Sequence, residues 1–254
     1  MTAYIEIKNV GLNFGGESIF HSLQLEVAKY EFISVVGRTG IGKSTLLRMI
    51  AGLLTPTEGS VHFEGEAVDS PREDVTYVFQ KPVLLEWRTL LENVLLPGEL
   101  NGSRPSAEDR KKAEELLLFV ELNGHQDKYP HECSGGMLSR AALARALFSN
   151  PRVLLMDEPF ASLDSMTKEQ MQMELLQIAS TYQTTIIFVT HDIQEAVFLS
   201  DRVLLLGDQS ENEVKQYHVS FKKPREKQLK FEPAFMELVR EVHKGLEEIR
   251  GRQA

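Results

Sequence analysis

The chain has 254 residues, of which 42% are hydrophobic and 26% charged, as in an ordinary globular protein. Its 28 basic and 37 acidic residues give a net charge of −9, which argues against nucleic acid as the main partner, because a phosphate backbone attracts a basic surface. The single cysteine, Cys133, cannot form an internal disulfide and predicts a cytosolic protein. We expect no signal peptide and no membrane span, since no apolar run approaches roughly 20 residues.

Strand patterns dominate the first third of the chain. Apolar and polar residues alternate in segments 5–7 and 23–27, and a short apolar run at 32–36 suits a buried strand that ends at Gly37. A helix is predicted over 45–51, with Gly52 as its stop. A further buried strand is predicted over 75–79.

The pattern becomes helical from Pro82 to Asn150, with helices predicted over 107–120, capped by Ser106, and over 138–148. After this stretch, strands predicted over 153–156, 185–189 and 202–206 alternate with helices predicted over 169–179 and 193–199. Such alternation predicts a mainly parallel sheet flanked by helices. We interpret the helical stretch, about residues 81–150, as a subdomain inserted into that sheet.

The C-terminal segment differs in composition. A basic cluster predicts a solvated loop and comprises Lys222, Lys223, Arg225, Lys227 and Lys230. An amphipathic helix follows, in which apolar residues from Phe235 to Ile249 recur mostly at spacings of three and four, and we expect it to pack on its own domain. The chain is therefore divided into a main domain, residues 1–220, and a C-terminal helical extension, residues 221–254.

Residues 37–44 match the pattern G-x-x-x-x-G-K-[ST] between a buried strand and a helix. Glycines let the backbone bend tightly around an anion, and the helix that follows adds its positive end. Lys43 is expected to reach the β- and γ-phosphates of ATP, and the Ser44 hydroxyl to ligate Mg²⁺. A glycine-rich turn without a ligand is the alternative. The candidate ATP-binding residues are Gly37, Arg38, Thr39, Gly40, Ile41, Gly42, Lys43, Ser44 and Thr45.

Two carboxylates follow the strand predicted over 153–156. In such a sheet, side chains at the carboxyl ends of the strands face the ligand crevice. Asp157 is therefore expected to hold Mg²⁺ through water, and Glu158 to orient and polarise the attacking water. The alternative is a pair of exposed acids at a strand end, which the neighbouring phosphate loop makes the weaker interpretation.

A third motif carries a family resemblance. Four residues, followed by Arg140, resemble the LSGGQ signature of ABC-type ATPases: Ser134, Gly135, Gly136 and Met137. With this motif shortly before the acidic strand, the chain over about residues 4–206 resembles the nucleotide-binding subunit of an ABC transporter. The motif departs from the family pattern at Cys133, Met137, Leu138 and Ser139, and the effect of these departures on turnover stays open.

Further motifs of that family occur in the expected order. Gln80 resembles the Q-loop glutamine, which implies a contact to Mg²⁺ and a place in the catalytic set with Glu158. His191 resembles the switch histidine, the third member of that set. Residues 162–164 resemble the D-loop, and Phe14 stands where an aromatic residue usually stacks on adenine.

The resemblance implies an α/β fold of the P-loop NTPase (RecA-like) type, with a mainly parallel core sheet, a small antiparallel β part and an inserted α-helical subdomain. It also implies Mg²⁺-dependent ATP hydrolysis by two copies arranged head to tail. Each ATP would then lie between the phosphate loop of one copy and Ser134, Gly135 and Gly136 of the other.

Residues 84–94 and Met137 are similar to those of importers for nitrate, sulfonates, taurine and thiamine-precursor pyrimidines. This similarity implies transmembrane permease partners, an indirect link to a solute-binding protein, and a peripheral position on the cytoplasmic side of the plasma membrane. The transported solute is not identified, because this subunit would not touch it. The alternative is a soluble ABC-type ATPase that is not coupled to transport.

Overall fold

The computed structural model describes residues 3–14, 17–100, 102, 104–161, 163–207 and 214–251, without the side chains of residues 14, 17, 250 and 251. The strands are β1 (Ile5–Phe14), β2 (Glu17–Val27), β3 (Phe32–Val36), β4 (Glu58–Phe63), β5 (Glu66–Ala67), β6 (Val75–Val78), β7 (Val153–Asp157), β8 (Thr185–Thr190), β9 (Arg202–Leu206) and β10 (Val214–His218). The α-helices are α1 (Lys43–Ile50), α2 (Leu90–Leu100), α3 (Ala107–Phe119), α4 (Gly135–Phe148), α5 (Ser165–Thr181), α6 (Ile193–Leu199) and α7 (Pro233–Gly251). No helix among these residues is long and apolar enough to cross a membrane.

The larger sheet is mainly parallel, as predicted. Its strand order is β10-β9-β3-β8-β7-β6, and only β10 runs antiparallel to its neighbour among the described strands. Strands β3, β7 and β8 are buried along their whole length, which explains why they appear in the sequence as short apolar runs. The pairing of Val36 with Thr190, and of Asp157 with Val189, brings the carboxyl ends of these three strands to one edge.

The smaller sheet is antiparallel, in the order β2-β1-β4-β5, and confirms the antiparallel β part. Its first two strands are longer than the alternating segments that predicted them. Their buried residues share a core with α1 and with one face of β3, β7 and β8. This sheet therefore packs over the helix that follows the phosphate loop.

Helices α2, α3 and α4, in the chain segment that connects β6 to β7, pack against one another. The helix predicted over 107–120 is confirmed as α3, and Ser106 caps it by accepting a hydrogen bond from the Asp109 N–H at 3.1 Å. Helix α4 begins three residues earlier than predicted, because the Ser134 side chain caps it. Helix α5 likewise begins at Ser165, before the predicted start at Glu169, because Asp164 caps it.

The amphipathic C-terminal helix is confirmed as α7, which contacts α6 and β9. Its buried residues, including Phe235 and Val242, belong to the same hydrophobic core as Phe188 of β8. The solvated loop predicted for the basic cluster is wrong at Arg225, which is 3% exposed and donates a hydrogen bond to the Phe198 carbonyl at 2.8 Å. A buried acceptor on α6 thus holds this cation inside the fold.

Candidate nucleotide-binding site

The phosphate loop lies between the end of β3 and the start of α1 and wraps around the Lys43 ammonium group. Lys43 is 6% exposed, and its Nζ donates hydrogen bonds to the carbonyl oxygens of Gly37 and Arg38, both at 2.9 Å. Burial lowers the pKa of Lys43, and the carboxylates of Glu158 and Asp157 oppose that shift. The loop therefore presents a positive charge at the N-terminus of a helix, where an anion is favoured.

Gly42 sets the turn from the loop into α1. Its φ of 104° lies in the region that favours glycine, and it occupies the N-cap position of the helix. A Cβ at this position would lie 2.7 Å from Ile19 Cγ2 and 2.8 Å from Phe20 Cζ. The antiparallel sheet thus fixes the backbone of the loop from outside.

Asp157 ends β7 and accepts two hydrogen bonds. The Ser44 hydroxyl donates to Oδ1 and the Tyr77 hydroxyl donates to Oδ2, both at 2.9 Å. Burial, with a further contribution from the Asp157 charge, raises the pKa of Tyr77. The carboxylate is therefore fixed in orientation, with one oxygen directed at the first turn of α1.

Glu158 follows in a constrained backbone conformation with a φ of 45°, and its N–H donates to the Val189 carbonyl at 3.0 Å. One carboxylate oxygen lies 3.9 Å from Lys43 Nζ. The other lies 3.0 Å from Nδ1 of His191, which follows β8. The carboxylate thus lies between the Lys43 ammonium group and the His191 imidazole.

One cavity of about 480 Å³ collects these groups. Its volume is within the usual range for ligand sites, roughly 300–1,000 Å³. Gln80, two residues beyond the end of β6, lines it together with the metal and catalytic candidates. Its lining residues are Ile19, Thr39, Gly40, Gly42, Lys43, Ser44, Thr45, Gln80, Asp157, Glu158 and His191.

Three of the predicted loop residues do not line this cavity. Gly37 and Arg38 contribute the carbonyl groups that hold Lys43, and the Ile41 side chain packs on the hydrophobic core. The prediction for Phe14 concerns a side chain that lies outside the described residues, as does Ser162 of the segment that resembles the D-loop.

The residues of the signature-like motif lie elsewhere on the molecule. Ser134 and Gly135 are exposed at the start of α4, and the Ser134 hydroxyl accepts a hydrogen bond from the Met137 N–H at 3.3 Å. Neither they nor Gly136 line the cavity at the phosphate loop. A Cβ on Gly136 would lie 2.8 Å from Thr167 Cγ2, so this motif packs close to the start of α5. Within one chain, the structure does not bring the two motifs together.

Comparison with known proteins agrees with this geometry. The profile of the ABC transporter family matches residues 20–161, more than half of the chain. The chain belongs to the ABC transporter family. Family membership establishes it as an ATP-binding cassette with the P-loop NTPase fold and as an ATPase.

Individual relatives are consistent with the predicted branch. The chain is 40% identical to a bicarbonate transport ATP-binding protein of Synechocystis sp., over 89% of this chain and 82% of the relative. It is 36% identical to an aliphatic sulfonates import ATP-binding protein of Xanthomonas axonopodis pv. citri, over 88% and 89% of the two chains. A dimeric ATP-binding cassette solved in a post-hydrolysis state with ADP and phosphate matches with a TM-score of 0.76 and 33% identity, over 86% of this chain and all of that one.

Two residues that shape this cassette's site were missed in the sequence: Ile19, which lines the cavity, and Tyr77, which holds Asp157 without lining the cavity. Tyr77 belongs to a strand that was predicted correctly, but its hydrogen bond to Asp157 spans 80 positions in the chain. The sequence offered one signal for it. Tyr77 lies near the end of the predicted strand and three positions before Gln80. Ile19 gave no such signal, because it reaches the loop only through the packing of the antiparallel sheet.

Proposed function

We propose that this chain is the ATP-binding and hydrolysing subunit of an importer for a small polar solute of the nitrate, sulfonate, taurine or thiamine-precursor type. The observation that carries the proposal is the single cavity in which Lys43, Ser44, Asp157, Glu158 and His191 converge. Relatives named for bicarbonate transport and for aliphatic sulfonate import support the class of solute.

Lys43 and the loop backbone bind the phosphates of ATP in this proposal. The ammonium group is held inside the loop by the carbonyls of Gly37 and Arg38 and lines the cavity in which the β- and γ-phosphates would bind. Positive charge there stabilises the negative charge that develops on the transferred phosphoryl group.

Mg²⁺ fits the residues next to the loop. The Ser44 hydroxyl and the Asp157 carboxylate are hard oxygen donors 2.9 Å apart, and Gln80 lines the same cavity. Among the described residues no cluster of three or more histidine, cysteine or acidic side chains offers a complete metal site, which suits an ion that keeps its waters and shares phosphate oxygens. When bound, Mg²⁺ supplies charge neutralisation between the phosphates.

Glu158 acts on the attacking water and His191 positions Glu158. The carboxylate is 20% exposed, so it has access to the cavity. His191 Nδ1 lies 3.0 Å from one oxygen of the Glu158 carboxylate and holds it. The other oxygen is directed towards the phosphate loop. Orientation of water by a fixed carboxylate accelerates hydrolysis by about 10²–10⁴-fold in general base catalysis.

A second copy completes the site. Ser134, Gly135 and Gly136 do not line the cavity of their own chain, and the first two are exposed. In a head-to-tail dimer they would face the γ-phosphate bound by the partner copy, with the N-terminus of α4 adding its positive end. The dimeric form of the matching solved cassette supports this arrangement.

The proposed assembly also contains permease subunits in the plasma membrane, a solute-binding protein reached through them, and no nucleic acid. The chain would sit peripherally on the cytoplasmic side. Helices α2–α4, in the segment 81–150, would transmit changes at Gln80 to the permease. We keep the division of the chain into a main domain, residues 1–220, and a C-terminal extension, residues 221–254.

Glu158→Gln tests the proposed chemistry. We expect ATP turnover to fall by about 10²–10⁴-fold, because the amide does not take up a proton from water, while ATP binding persists. Glu114→Gln, an exposed substitution on α3, is the matched control and should leave turnover unchanged. Turnover of Glu158→Gln at the wild-type rate, measured as phosphate release, would contradict the assignment.

A further inference from the structure

A second cavity, of about 440 Å³, lies on the side of the sheet where α5 meets the C-terminal segment. It shares no lining residue with the nucleotide cavity. Met173 and Leu176 of α5 form an apolar wall, and Leu199, at the end of α6, closes the interior. This volume is sufficient for a small organic molecule, since ligand sites occupy roughly 300–1,000 Å³.

Arg225 brings a buried positive charge to this cavity. Its side chain is 0% exposed, and Nη1 donates to the Phe198 carbonyl at 2.8 Å. Nε and Nη2 make no hydrogen bond with any described residue. The nearest carboxylate, Asp201, lies 3.7 Å from Nη2 and is engaged by Lys223 at 2.6 Å. Two guanidinium nitrogens are therefore buried without an acceptor, which is costly, and a ligand in the cavity reaches them only if a neighbouring side chain shifts.

Glu174 brings a buried carboxyl group to the same cavity. Its side chain is 9% exposed, and Arg140 Nη2 lies 3.1 Å from Oε1. Neither carboxyl oxygen accepts a hydrogen bond from a described residue. Burial raises the pKa of Glu174 to about 7, with Arg140 opposing and Glu121 adding to the shift. Near neutral pH the group can both donate and accept a hydrogen bond.

The cavity therefore has an apolar wall, the mostly exposed side chain of Glu121, and two buried polar groups whose unpaired atoms have almost no accessible surface before a ligand enters. An anionic group on a ligand would satisfy Arg225, with the exposed Lys223 at the rim adding attraction. A hydroxyl or amino group would satisfy Glu174, and the apolar body would cover Met173 and Leu176. A neutral carbonyl group could accept the same hydrogen bonds but would lack the charge that makes the pairing with an acid stronger.

We propose that this cavity binds a small organic acid that carries a hydroxyl or amino group, with the acid at Arg225 and the hydroxyl or amino group at Glu174. The bound acid and ATP occupy separate places, so both bind at once. The site also adjoins the helices that complete the nucleotide site in the dimer. Glu174 belongs to α5 and contacts Arg140 of α4, the helix that begins next to Ser134.

Methyl NMR of the full chain labelled at its methionines tests the proposal. The probes are 4-hydroxyphenylacetate, 4-aminobutanoate and 6-hydroxyhexanoate, with 4-hydroxyphenylacetamide as the neutral match. We expect at least one acid to shift the Met173 methyl signal saturably, with a Kd of about 1 mM or tighter, and to leave Met49 of α1 unshifted. The amide should bind at least about tenfold more weakly.

Three variants locate the binding. Ala179→Leu places a larger side chain in the lining and should abolish the shift, whereas Thr181→Leu, an exposed change on the same helix outside the lining, should not. Lys223→Gln should weaken the acid about two- to fivefold without affecting the amide. Thermal unfolding and ATP binding serve as checks that Ala179→Leu is folded.

Three results would overturn the proposal. They are a Met173 signal that no acid shifts, equal affinity for acid and amide, and a shift that persists in Ala179→Leu. The first would mean that Arg225 and Glu174 take no ligand from this cavity. Each result is independent of ATP turnover, so it does not bear on the proposed function.

Discussion

The backbone at Gly42 constrains the turn from the phosphate loop into α1. Gly42→Ala would force a Cβ into Ile19 and Phe20 at a φ of 104°. We expect it to reduce ATP affinity by at least about tenfold and to lower the free energy of unfolding by about 2–4 kcal/mol, from strain and overpacking together. Equilibrium binding of a fluorescent ATP analogue and urea unfolding measure the two effects.

Gly40→Ala is the matched control for that prediction. Gly40 also has a positive φ, 83°, but a Cβ there would meet nothing within 4 Å. Only the backbone strain remains, so we expect a loss of about 1 kcal/mol in stability. Equal losses in the two variants would show that contact with the antiparallel sheet does not shape the loop.

Tyr77 positions the Asp157 carboxylate through one hydrogen bond. Tyr77→Phe removes that donor and keeps the ring, so we expect the Mg²⁺ concentration for half-maximal turnover to rise about three- to tenfold, corresponding to roughly 1 kcal/mol. Tyr182→Phe, at the C-cap of α5, should leave it unchanged. An unaltered Mg²⁺ dependence in Tyr77→Phe would assign the hydroxyl a purely structural role.

For single residues, the linear motifs could be recognised in the sequence. The contacts between residues far apart in the chain could not. The candidate site residues 37–44, Asp157 and Glu158 come directly after buried strands. The apolar pattern of those strands therefore identified their positions in the sequence. Tyr77, Ile19 and Arg225 act through partners that only the sheet register and helix packing bring near.

Among the helices and strands, α7 gives the sharpest prediction, because its buried side chains belong to the hydrophobic core of the main domain. Phe235 is 0% exposed and packs with the core around β8 and α6, whereas Phe231, just before the helix, is 85% exposed. Phe235→Ala should lower the free energy of unfolding by about 3–5 kcal/mol. Phe231→Ala should change it by less than about 0.5 kcal/mol, which urea unfolding can check.

Independent unfolding of the C-terminal extension would contradict this account of α7. In that case Phe235→Ala would separate the urea transition into two steps and leave the main transition, and ATP binding, unchanged. We expect one shifted transition, since α7 contacts α6 and β9.

Predictability of the elements depended on burial. The fully buried strands β3, β7 and β8 were recognised as apolar runs. Strands β4, β5 and β10 went unrecognised because they are short or only partly buried and their apolar pattern is weak. The starts of α4 and α5 were placed late, because side-chain caps extend these helices through polar residues.

For the whole molecule, the arrangement of two half-sites matters most. The cavity with Lys43 and Glu158 lies at the carboxyl ends of the parallel strands, whereas Ser134 and Gly135 are exposed at the start of α4 and do not line it. This separation could not be derived from spacing along the chain, because it depends on how α2–α4 pack. ATP is therefore expected to join two copies, and hydrolysis to release them.

The most direct test is sedimentation velocity of Glu158→Gln with and without saturating ATP. We predict a monomer without ATP and a dimer with it, because bound ATP is no longer consumed. The double variant Glu158→Gln/Ser134→Arg should bind ATP with nearly unchanged affinity and stay monomeric, because the added side chain blocks the second half of the site. A monomeric Glu158→Gln at saturating ATP, or a double variant that dimerises equally well, would contradict the two-copy site.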